Sequence, residues 1–182
     1  MKKWNILLAA VLTITAIMGS AIPASASSSV VNIEIKETTM DQVSVTVPTV
    51  LPIVFNEDGT NTLPTNWTIE NKSTIAGIHL KQIDMTSKNG LWKLLGTTRD
   101  TKSISVDTKA IRFSVGQEGN FKVVMPTEGT EHSSGRLEYA SDEISLPSGT
   151  TKNLDFKVER GAFTKSEASA EAFQMVLTFK FN

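Results

Sequence analysis

Toward its C-terminal end the chain places Phe173, Met175, Leu177, Phe179 and Phe181 at every second position. Gln174, Thr178 and Lys180 fill the gaps between them, with Val176 the exception. A period of two puts apolar side chains on one face of an extended strand and polar ones on the other. The same alternation runs through Val31, Ile33 and Ile35, then Val43, Val45 and Val47. It recurs in Ile111, Phe113 and Val115, in Phe121, Val123 and Met125, and in Leu154, Phe156 and Val158. Strands with one apolar and one polar face belong to antiparallel sheets solvated on one side.

Turn residues separate these runs: Asn56-Glu57-Asp58-Gly59, Lys88-Asn89-Gly90, Gln117-Glu118-Gly119-Asn120 and Pro147-Ser148-Gly149. Their Gly and Asn residues tolerate the left-handed backbone that tight turns demand. No stretch carries a sustained helical period; residues 166–172 (SEASAEA) have helical composition but read as a connecting loop. The pattern predicts an all-β fold: a single-domain antiparallel β-sandwich, jelly-roll or Ig-like, with about ten or more strands in two sheets. No composition break or long linker divides residues 27–182, which read as one domain.

The first 26 residues read differently. Lys2 and Lys3 precede an apolar stretch over residues 4–18, and Ala24-Ser25-Ala26 presents small side chains in an A-x-A cleavage pattern. This is the layout of a secretory signal peptide, shorter than the ~20 apolar residues of a membrane span. Cleavage after Ala26 shortens 182 residues to 156 and removes two lysines, leaving 16 basic against 19 acidic residues. No second apolar stretch of membrane length follows, so the mature chain is expected to be secreted, extracellular or at the cell surface, with no membrane span. Cysteine is absent, so the core must hold the domain without disulfides. The near-balanced charge offers no field for nucleic acid.

Catalytic and metal-binding patterns are missing. His79 lies between apolar neighbours on an expected strand, and His132 lies in a polar loop. Neither belongs to a zinc-type spacing. No G-x-S-x-G elbow, phosphate loop or calcium loop occurs, and the aspartates are scattered singly. The expectation is a non-enzymatic protein with no cofactor and no metal. Cysteine-free secretion fits a bacterium with a single membrane, in which the N-glycosylation matches at Asn66-Trp67-Thr68 and Asn71-Lys72-Ser73 would be chance.

The aromatic residues say more. Trp92-Lys93-Leu94 is a literal W-x-L, and residues 173–181 resemble the distal motif Y-x-x-x-L-T-W-x-L. Leu177 and Thr178 match it, while Phe173, Phe179 and Phe181 stand where that motif has Tyr, Trp and Leu. On these segments the chain resembles the WxL family of secreted Gram-positive surface proteins. The resemblance implies a β-rich domain, non-covalent attachment to the cell wall through peptidoglycan, and work beside other surface proteins. It makes Trp92, Leu94, Leu177 and Phe179, with the second mature tryptophan Trp67, the candidate binding residues. The same five residues also suit the core of a sandwich. Leu146-Pro147-Ser148-Gly149-Thr150 evokes a sortase signal with the last two residues in the wrong order and no hydrophobic tail, so covalent wall linkage is not expected.

An alternative reading is self-assembly. Residues 27–36 and the C-terminal strand are alternating segments at the two ends of the mature chain. Each could pair within its own sheet or add to the edge of a neighbouring subunit, as in a fibre, pilus or biofilm-matrix subunit.

Overall fold

The structure, a computed structural model, describes residues 29–38, 45–56, 59–164 and 170–182. The expected signal segment lies outside them, as do Val43 and residues 166–169. The chain forms β1 (Ser29–Thr38), β2 (Val45–Thr46), β3 (Val50–Phe55), β4 (Asn61–Thr62), β5 (Thr68–Asn71), β6 (Ile78–Ser87), β7 (Lys93–Leu95) and β8 (Ala110–Gln117). It continues through β9 (Asn120–Val123), β10 (Met125–Pro126), β11 (Glu131–His132), β12 (Ser134–Glu138) and β13 (Ser145–Leu146). β14 (Thr151–Asn153), β15 (Asp155–Arg160) and β16 (Ala170–Phe181) complete it. A 3-10 turn at Thr101–Ser103 is the one helical element among the described residues.

The fold is all-β and layered. An eight-stranded sheet runs β10-β12-β6-β16-β1-β3-β4, with β13 also paired to β6. A five-stranded sheet runs β11-β7-β8-β15, with β9 also paired to β8, and a small third sheet runs β14-β5-β2. The inner faces share one core: Ile33, Leu51, Ile83, Met175 and Leu177 from the large sheet meet Ile111, Phe113, Val115 and Val158 from the second. Most pairs are antiparallel. Two are parallel: β1 beside β16, which come from opposite ends of the described chain, and β7 beside β8, which are consecutive strands.

The alternation places its residues well in β8, β15 and β16: Ile111, Phe113 and Val115, then Phe156 and Val158, then Phe173, Met175, Leu177 and Phe179 are buried. Three expectations are corrected. Phe121 and Met125 are exposed and Val124 is fully buried. Here the chain leaves β9 for the other sheet at β10, and the crossover resets which residue faces inward; the Val124 amide donates to the Phe113 carbonyl at 2.9 Å. His132 lies on β11, half-buried, rather than in a solvated loop. Ala170–Ala172 begin β16 instead of continuing a loop.

Turn chemistry is local and follows the residue types. Glu118 and Gly119 both have positive φ, 51° and 85°, and close the β8–β9 hairpin with a two-residue loop whose twist suits the strands. At Gly135 a Cβ would lie 2.6 Å from Leu94 Cδ1 and 2.7 Å from the Met125 carbonyl oxygen, so only glycine lets β12 approach β7 and β10. Asn71 is fully buried. Its amide donates to the carbonyls of Ala76 at 2.9 Å and Leu146 at 3.1 Å, and its oxygen accepts from the Ser73 amide. The Asn71 glycosylation match is therefore incompatible with the folded chain.

Tyr139 ties the two large sheets. It follows β12, is buried, and its hydroxyl donates to the Val115 carbonyl of β8 at 3.1 Å. Burial, and then the nearby Glu143 carboxylate, push its phenol well above the ordinary value. The raised folded-state value means that stability tied to the neutral phenol is complete below the unfolded pKa of ~10 and lost as the pH climbs through the folded one. A thermal melt series from pH 8 to 11.5 should show Tm falling above pH ~10, and Tyr139→Phe should remove that component of the fall. Tyr139 is the only tyrosine of the chain, so tyrosinate absorbance should appear only with unfolding. Absorbance rising in the still-folded protein would contradict this.

Candidate functional site

Trp92 is placed by a turn. β6 ends at Ser87, Gly90 turns with φ 70°, and Asn89 Oδ1 accepts from the Leu91 amide at 3.0 Å. Ser87 Oγ accepts from the Trp92 amide at 3.3 Å. The reversal leaves Leu91 exposed and drives Trp92 inward, where it is 2% exposed. Its ring lies 6.1 Å from Phe55, 6.2 Å from Phe163 and 6.3 Å from Phe173 between centroids. Lys93 then points outward to an ion pair with Glu131 at 2.8 Å, and Leu94 points back into the core.

Trp67 sits in a second ring cluster. Its carbonyl accepts from the Leu154 amide at 2.8 Å, and its ring and that of Phe156 meet in a T-shaped pair with centroids 5.3 Å apart, while Phe156 stacks on Phe113. Leu177 and Phe179 project from β16 into the same core. All five candidate binding residues are therefore buried, and none offers a ring face to a ligand. Both indole N–H groups are buried with no hydrogen-bond partner. Of the aromatic residues in the two motif segments, Phe181 alone is substantially exposed, at the end of β16.

The histidines lie apart from these clusters. His79 is buried on β6, and its Nδ1 lies 3.0 Å from Asn182 Oδ1, whose Nδ2 donates to Ser145 Oγ at 3.0 Å. His132 Nδ1 lies 2.9 Å from Thr127 Oγ1 and 3.0 Å from Ser134 Oγ. Among the described residues no group of three or more His, Asp or Glu side chains could hold a metal ion. No helix among them is long and apolar enough to cross a membrane.

A constellation that no motif marks lies along β1. This strand is held on both sides, parallel to β16 and antiparallel to β3. Ile33 is fully buried in the core. On the outer face Lys88, just past the end of β6, pairs at 2.5 Å with Glu34 of β1 and at 2.5 Å with Glu171 of β16. The Glu171 and Glu34 carboxylates hold the Lys88 ammonium above its ordinary pKa. Residues 34, 88 and 171 meet only because the topology brings three strands together, so no local sequence signal announces them.

No family model, curated protein or solved structure matches this chain.

Proposed function

We propose that the mature chain is a secreted, non-enzymatic surface protein that associates non-covalently with the bacterial cell wall, as its resemblance to WxL proteins implies. The observation that supports this reading is the meeting of the two motif segments. Trp92 and Phe173 come from distant parts of the chain and pack ring against ring at 6.3 Å. The motif residues thus behave as one structural unit that builds the domain, and attachment belongs to the domain's outer faces and edges.

Non-covalent attachment also fits the sortase-like stretch. Leu146 is fully buried on β13, and Gly149 lies in a left-handed turn with φ 68°. Such a segment offers no extended substrate to a transpeptidase.

Sedimentation with purified peptidoglycan tests the reading. The processed chain should pellet with the wall, and Trp92→Phe should pellet equally well because the ring is buried. Wild-type protein left wholly in the supernatant would contradict wall association. Loss of pelleting in a folded Trp92→Phe variant would contradict attachment through the outer surface.

A further inference from the structure

We propose that the seat between β16 and β3 accepts the first strand of a second copy, in the register of the chain's own β1, so that copies join by strand exchange. The inference goes beyond wall association and uses that reading only for a processed amino end near Ser29.

β1 is the first described strand yet it lies inside its sheet, with β16 on one side and β3 on the other. Its longer partner, β16, runs parallel to it from Val31–Ala170 to Thr38–Thr178. Parallel neighbours cannot be joined by a tight hairpin, and here they are the first and last strands of the described chain. Within the described chain the strand is followed by β2, which belongs to the third sheet and not to the sheet that seats β1. Nothing in the pairing itself therefore fixes which copy supplies the strand, the condition under which terminal elements exchange.

An unfilled seat would be costly. β16 would become a long open edge carrying Phe173, Met175 and Leu177 on its core face, and β3 would open beside it. Such edges pair readily with any strand that fits. The seat also selects its occupant. Ile33 fills a fully buried position, and the Lys88 ammonium bridges Glu34 of the entering strand to Glu171 of the receiving one. A slip of one residue would turn Ile33 outward. A slip of two would keep the faces but bring Asn32 or Lys36 to Lys88, losing the ion pair or opposing two ammonium groups.

The chain has no cysteine of its own, so single substitutions report pairing cleanly. Glu34 and Gln174 are register partners, and both lie on the outer face. Glu34→Cys in one preparation and Gln174→Cys in another, each in the chain from residue 27 onward, are mixed, concentrated, partly unfolded, refolded and oxidised. The expected result is a disulfide-linked pair of the two preparations, in at least tenfold greater yield than an offset mixture of Glu34→Cys with Lys180→Cys. Equal yields in the two mixtures, with an internal disulfide closing in the doubly substituted chain, would overturn the proposal. Because Glu34→Cys removes one ion pair, light scattering on unsubstituted chain refolded at high concentration provides a second measurement. Dimers or larger assemblies are expected there, and monomers alone at every concentration would overturn the proposal. Wall sedimentation is a separate readout, so either reading can fail without the other.

Discussion

Trp92→Ala should cost about 3–5 kcal/mol of unfolding free energy, the range for emptying a large aromatic site in a packed interior. Domains of this kind hold only about 5–15 kcal/mol in total, so the variant should melt far below the wild type. The reason is position. Trp92 touches three other rings, Phe55, Phe163 and Phe173, and so joins β3, the segment after β15, and β16. Removing it leaves a void that no flexible neighbour can fill. Trp92→Phe should cost much less, because a ring remains and the buried indole N–H without a partner is eliminated; an orphaned donor of this kind costs about 1–3 kcal/mol. Chemical denaturation of the three proteins checks the order. Equal stability of wild type and Trp92→Ala would show that the ring does not pack as described.

Ile33→Asp should have an effect at least as large, but of a different kind. It loses the burial of a fully enclosed side chain, which by itself costs roughly 2–5 kcal/mol on truncation. It also places a carboxylate where no partner waits. The molecule has a way out that Trp92→Ala lacks. β1 is tethered at one end, so it can leave the sheet while the rest of the core stays formed. The expected signature is a two-part outcome: a lower Tm, and rapid amide hydrogen exchange at the edge of β16 that β1 no longer covers. Loss of exchange-linked oligomers should follow, since the same strand serves as donor.

The strands of this fold were legible because alternation and turn chemistry are local. Residues 111–115, 154–158 and 173–179 carry their burial pattern in their own spacing, and even Trp92-Lys93-Leu94 is a short alternation of in, out, in. The alternation of Phe121, Val123 and Met125 points to the wrong phase, with Val124 inside instead, because the inward phase there depends on where the chain changes sheets. His132 was misplaced because two-residue strands leave no periodic trace. The parallel pairing of β1 with β16 had no local signal at all: it links the two ends of the described chain. The Lys88 bridge was hidden for the same reason, since Glu34, Lys88 and Glu171 are neighbours only after the sheet has formed. Both terminal segments read from sequence as strands able to pair within their own sheet or with a neighbouring copy. That they are each other's neighbours is what the structure adds.

If the first strand fills a seat open to the same strand from any copy, the seat should also take that strand as a free peptide. The most direct measurement adds a synthetic peptide of residues 27–38 to the full processed chain carrying Ile33→Asp, and follows Tm against peptide concentration. A ligand that binds only the folded state raises stability in proportion to the logarithm of its concentration above Kd. A saturable binding isotherm and a rising Tm are expected with the wild-type peptide, and neither with the peptide carrying Ile33→Asp. A folded Ile33→Asp chain whose Tm is unmoved by the wild-type peptide would contradict it.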